Sequence, residues 1–120
     1  MGQPVVHFEV GGPDRKQLES FYSRLFNWKI EGHDAMNYGM VDTGEEKSIG
    51  GGIAGAMPDG PSSWVTFYVK VDDLQSYLDK VESLGGKTIV PPMPIPDTGS
   101  FAMFSDPAGN CIGLFKGDET

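Results

Sequence analysis

The chain has 120 residues, a net charge of −8 and 38% hydrophobic residues. That length can bury a real core and the apolar content argues against disorder. No basic patch is visible, which excludes nucleic acid and anionic membrane surfaces as ordinary partners.

Cys111 is the one cysteine, so an intramolecular disulfide and a Cys-rich zinc site are excluded. The N-terminus has no basic segment followed by an apolar run. No stretch approaches the ~20 apolar residues that cross a membrane. A cytoplasmic protein is the expectation.

Val6, Phe8 and Val10 alternate with Val5, His7 and Glu9, so residues 4–10 read as a strand, ended by Gly11-Gly12-Pro13. Asp14 opens a helix whose stripe is Leu18, Phe21, Tyr22 and Leu25. Trp28-Lys29-Ile30 is a short strand and Glu31–Asn37 a polar loop in which His33 is solvated. Tyr38–Thr43 is a strand, Gly44–Lys47 its turn, and Ile49–Ala54 a further strand. Gly50-Gly51-Gly52 within it predicts a bulge.

Met57–Ser63 is a short linker by composition. Trp64–Val71 is a strand. Asp72 is the expected N-cap of a second helix, with Gln75 completing a capping box. Leu74, Tyr77, Leu78, Val81 and Leu84 form its stripe and Gly85-Gly86 its stop. Lys87–Val90 is a strand. The prolines of Pro91–Gly99 predict a stiff extended loop. Phe101–Ser105 and Cys111–Lys116 are strands around an Asp106–Asn110 turn, and the tail 117–120 is expected to fray.

The pattern occurs twice. Val6, Phe8 and Val10 match Val65, Phe67 and Val69 at one offset, and the helix stripe continues the match with Leu18 on Tyr77 and Leu25 on Leu84. Both halves therefore read β-α-β-β-β, as a diverged duplication leaves them.

The segments Val5–Val10, Phe21-Tyr22 to Trp28, Asp72-Asp73-Leu74, Leu84-Gly85-Gly86 and Phe104-Ser105-Asp106-Pro107-Ala108-Gly109-Asn110 resemble the vicinal oxygen chelate superfamily of glyoxalases, bleomycin-resistance proteins and extradiol dioxygenases. The resemblance implies an α+β fold. Two tandem βαβββ modules, about 4–57 and 63–117 of a single domain, would form an incomplete, curled, eight-stranded barrel-like sheet with helices outside. It also implies a cavity and a homodimer. Candidate dimer contacts are the linker, the strand Ile49–Ala54 and the proline loop.

Strand alternation assigns the faces, and the repeat adds Tyr38, Met40, Phe101 and Met103 to the second of them. Val6, Phe8, Val10, Val65, Phe67, Val69, Ile112 and Leu114 are expected beneath the helices. His7, Glu9, Tyr38, Met40, Trp64, Thr66, Tyr68, Phe101, Met103 and Phe115 are the expected ligand-binding residues, an aromatic and Met-rich concavity of the kind that holds small molecules. Metal-using relatives place ligands at positions that fall here on His7, Gly51 or Gly52, Thr66 and Gly113. Only His7 can ligate, and adding Glu9 makes two where a catalytic zinc takes three protein ligands. The expectation is a protein binding an aromatic or planar apolar ligand with no metal or other cofactor. The alternative is a lyase, isomerase or dioxygenase-like enzyme using His7 and Glu9 for catalysis, with or without a divalent metal.

Overall fold

The computed structural model of the chain describes residues 2–118. Its elements in order are β1 (Val5–Gly12), α1 (Arg15–Phe26), β2 (Lys29–His33), a single 3-10 turn (Asp34–Met36), β3 (Tyr38–Asp42), β4 (Gly50–Gly55), β5 (Trp64–Lys70), α2 (Leu74–Ser83), β6 (Lys87–Ile95), β7 (Gly99–Ser105) and β8 (Cys111–Gly117). The fold is α+β, two βαβββ modules in tandem. Two compact units emerge, one of residues 7–66, the other of residues 2–6 and 67–118.

In the first unit the strand order is β2-β3-β4-β1, with β1 and β4 parallel and the other pairs antiparallel. The second repeats it as β6-β7-β8-β5, with β5 and β8 parallel. The duplication seen in the residues is thus also a duplication of strand pairing. Met40 lies opposite Gly52 in one unit, and Met103 opposite Gly113 in the other.

The helices form for local reasons. The Asp14 carboxylate accepts from the Gln17 N–H at 3.1 Å and caps α1. Asn27 ends it in the left-handed region, φ 58°. In α2 the cap is Asp73, whose carboxylate accepts from the Ser76 N–H at 3.0 Å, and not the expected Asp72. Two adjacent aspartates look alike in sequence, and it is Asp73 that takes the extended backbone of an N-cap, φ −149° and ψ 105°. Gly85, at φ +98°, lets the Gly86 N–H reach the Val81 carbonyl at 2.9 Å, which closes the helix as expected.

The second unit's core is Val71, Leu74, Leu78, Ala102 and Leu114, with Val69, Tyr77 and Phe104 packed against it. Leu78 is 1% and Ala102 0% exposed. Leu84 is exposed, as it lies past the last helical turn. In the first unit Ile53 and Val41 are buried, and an aromatic cluster forms around Trp28, which meets Phe8, Tyr22 and Phe26 at centroid distances of 5.1 to 5.6 Å. Each such pair adds to the area its rings bury.

Several expectations change. Gly11 and Gly12 continue β1, and β2 extends through Glu31–His33. Val65 (78% exposed) and Phe67 (40%) are not covered, because the α2 core is reached only from Val69 onward. The Gly50–Gly52 run makes no bulge: β1 and β4 keep register from His7↔Gly50 to Gly12↔Gly55. The irregularity lies in β6, with register shifts between Thr88 and Met93. Pro91, Pro92 and Pro94 therefore belong to a strand and not a loop. β6 is the outermost strand of its unit, where a missing N–H costs least. Of the expected frayed tail, Gly117 lies in β8 and the Asp118 N–H donates to the Thr98 carbonyl at 3.0 Å. Residues 119 and 120 lie outside the described residues.

Candidate functional site

β1 presents His7 and Glu9 on the face away from α1, and its neighbour β4 contributes Gly50 and Gly52 beside them. Tyr38 begins β3 and its ring crosses the bare backbone of Gly52. A Cβ at Gly52 would lie 1.9 Å from the Tyr38 hydroxyl. On the other face a Cβ at Gly51 would lie 2.4 Å from the Phe8 ring. The glycines are there because an aromatic ring lies across each face of the strand.

The ring crossing puts the Tyr38 hydroxyl between two groups. It donates to Glu9 Oε1 at 3.0 Å and lies 2.8 Å from His7 Nε2. The second Glu9 oxygen, Oε2, accepts from the indole Nε1 of Trp64 at 2.8 Å. The Trp64 ring lies on Gly11, where a Cβ would come within 2.2 Å of it. Glu9 is 6% exposed, so this carboxylate is buried with charge-assisted hydrogen bonds from two aromatic donors. Burial lowers the His7 pKa from its ordinary value, and the Glu9 charge opposes that shift.

The sequence placed His7, Glu9, Tyr38 and Trp64 on one face, and the structure joins them in one hydrogen-bonded set. Met40 shares the face, is 46% exposed, and lies opposite Gly52. In the second unit Tyr68 and Met103 flank Gly113, and the Tyr68 ring covers that glycine as Tyr38 covers Gly52. Phe101 pairs with Phe115 in the next row. Thr66 is buried. A shallow depression of about 330 Å³ is lined by Gln3, Pro4, Lys70, Val71, Asp72, Lys116 and Gly117, none of them an expected ligand residue.

Among the described residues no three His, Cys, Asp or Glu side chains gather as a metal site. His7 Nε2 faces a tyrosine hydroxyl and the neighbouring strand offers glycine. These donors do not fit a three-ligand zinc or a two-His, one-carboxylate iron site.

Sequence reading missed a second set beneath Tyr38. Arg15 is 5% exposed and its guanidinium meets three partners. Nη1 donates to the Tyr38 backbone carbonyl at 2.9 Å and lies 3.3 Å from Glu19 Oε2, while Nη2 pairs with Asp34. That hydrogen bond, with the nearby Lys16 and Arg15 charges, holds the Asp34 carboxyl below its ordinary pKa. The available signal was a charged residue at stripe spacing, since Arg15 precedes Leu18 by three and Tyr22 by seven positions.

The fold has known counterparts. A family model for the Glyoxalase/Bleomycin resistance protein/Dioxygenase superfamily matches residues 5–114, and the chain belongs to that superfamily. It is 30% identical over 109 residues to the "Putative glyoxylase CFP32" of Mycobacterium bovis, covering 86% of this chain and 41% of that protein. It is 28% identical over 127 residues to the anthracycline biosynthesis protein DnrV of Streptomyces peucetius, covering 91% and 45%. The chain spans less than half the length of these two curated relatives. Among solved structures, methylmalonyl-CoA epimerase from Mycobacterium tuberculosis superposes with a TM-score of 0.69 at 11% identity, over 96% of this chain and 88% of that one, a likeness of fold.

Proposed function

We propose that the chain is a small-molecule-binding protein that holds an aromatic or planar apolar ligand against the His7, Glu9, Tyr38 and Trp64 face, without a resident metal. The carrying observation is the Glu9 carboxylate, buried and held by two aromatic donors. Its oxygens serve to fix the Tyr38 and Trp64 rings, which would supply the stacking surface. Kinship with a protein named for anthracycline biosynthesis supports a planar, fused-ring ligand. In this reading Tyr68, Phe101, Met103 and Phe115 form the second unit's own counterpart of that apolar face. Titration of planar aromatic compounds against Trp64 emission tests it. Saturable quenching that Trp64→Phe abolishes is expected. Silence in both fluorescence and thermal shift across the set would overturn it.

A second reading rests on the contact of His7 with Tyr38. An imidazole whose pKa burial lowers, in contact with a hydroxyl bonded to a carboxylate, is a candidate general base. It makes the chain a lyase or isomerase, and loss of a measured turnover in His7→Ala with binding retained would favour it.

The proposal includes a homodimer in the cytoplasm. No helix among the described residues is long and apolar enough to cross a membrane. β4 lies between β3 and β1, so it offers no free edge and is withdrawn as a contact. The exposed Phe21, Leu25 and Phe26 of α1 supply the apolar contact instead. Sedimentation equilibrium tests this, and a mass staying at the 13.0 kDa of one chain would sink it.

A further inference from the structure

Tyr38 carries the site from an unfavourable place in the chain. It is the first residue of β3, between Asn37 at φ 50° and Gly39. Strand ends fray, and glycine loosens them further. Yet the Tyr38 hydroxyl must stay within hydrogen-bond distance of both His7 and Glu9.

Beneath it lies a buried cation whose presence the core does not explain. Arg15 Nε and Glu19 Oε2 are buried and find no hydrogen-bond partner among the described residues. A buried ion pair of this kind gives weak stabilisation, and apolar residues of similar size often serve as well. Room has been made for it nonetheless. Gly32 and Gly39 are paired across β2 and β3. A Cβ at Gly39 would lie 2.0 Å from Glu19 Oε2, and one at Gly32 would lie 3.2 Å from Arg15 Nη1. Two facing glycines form a cradle for the pair, and Arg15 Nη1 emerges from it to the Tyr38 carbonyl. From Asp34 the same guanidinium holds the turn that leads into β3.

We infer that Arg15 is a positioning residue for the site: held in the Gly32/Gly39 cradle by Glu19 and Asp34, it pins the Tyr38 backbone so that the Tyr38 hydroxyl stays between His7 and Glu9. Arg15 acts through Tyr38 and touches none of the other site groups. The inference rests on the reading of that face as the site, though its structural content can be tested without a ligand.

The probe is the pair of tryptophan indole N–H signals in a ¹⁵N-labelled protein. Trp64 donates to Glu9 and reports the site, while Trp28 sits in the α1 aromatic cluster and reports helix packing. Arg15→Met/Glu19→Gln removes both buried charges and leaves neither alone, so the fold should survive. Solvent exchange of the Trp64 indole N–H is expected to speed up about fivefold or more, the scale of one lost hydrogen bond. Trp28 should keep its shift and exchange rate. Tyr38→Phe should reproduce the Trp64 change, and adding it to the double variant should add nothing further. Arg15→Lys keeps the charge beside Glu19 but cannot span both Tyr38 and Asp34, and an intermediate effect is expected. A Trp64 signal unchanged in either Arg15 variant, or one that moves only together with Trp28, would overturn the inference. If the indole pattern holds while no aromatic ligand binds, the positioning role stands and the binding proposal alone falls.

Discussion

The indole nitrogen of Trp64 donates a hydrogen bond to the Glu9 carboxylate at 2.8 Å, across 55 positions of chain. It joins the end of the first unit's chain to its first strand, and with the Tyr38 hydroxyl it occupies both oxygens of a nearly buried acid. Glu9→Gln would turn an amide NH₂ toward one of these donors. Unfolding free energy is expected to fall by about 1–3 kcal/mol, the cost of one mismatched buried polar group. Urea denaturation followed by tryptophan emission checks it, and an unmoved midpoint would remove Glu9 from the centre of the set.

The β4 glycines can be tested one at a time. Gly51→Ala and Gly52→Ala drive a methyl into the Phe8 and Tyr38 rings respectively, and each is expected to cost about 1–3 kcal/mol. Gly60→Ala is the control, since its nearest neighbours lie 3.7 Å away. Thermal melts of the three variants should separate the pair from the control. Equal melting points would mean that the rings do not lie on the glycines.

His7 makes stability depend on pH in a defined direction. Its folded pKa is lowered from 6.5, with desolvation the larger cause, and Glu9 and the Tyr38 hydroxyl are among the groups facing it. Between the two values the unfolded chain binds more protons than the folded one. His7 therefore contributes no penalty above about pH 6.5, and stability falls as the pH drops from there toward its folded value. His7→Gln should flatten the melting temperature over that window. A wild-type profile as flat as that of the variant would contradict the assignment.

Capping of α2 separates two neighbouring acids. Asp73→Ala removes the acceptor for the Ser76 N–H and is expected to cost about 1 kcal/mol. Asp72→Ala is expected to cost much less. Chemical denaturation of the two variants decides which aspartate caps, and the reverse order would restore the reading from sequence.

The order of elements, the duplication and the shared face of His7, Glu9, Tyr38 and Trp64 were legible in the residues. These are local properties: strand alternation has period two and helix stripes about 3.6, and a repeated pattern repeats its pairing. His7 and Glu9 fell on one side by alternation, Tyr38 joined them through the repeat, and strand register then set the three together. What only the tertiary structure decided is which groups meet. Gly50–Gly52 read as a bulge because a glycine run gives no sign of the Phe8 and Tyr38 rings that reach it from other strands. Prolines 91–94 read as a loop because nothing local marks an outer strand, where missing donors are tolerated. Arg15 showed only its stripe spacing, because its partners come from α1, the Asp34 turn and the β3 backbone, and the space it fills is made by glycines 17 and 24 positions away. A side chain's period is written in its own segment, whereas its burial and its hydrogen-bond partners depend on segments that only folding brings beside it.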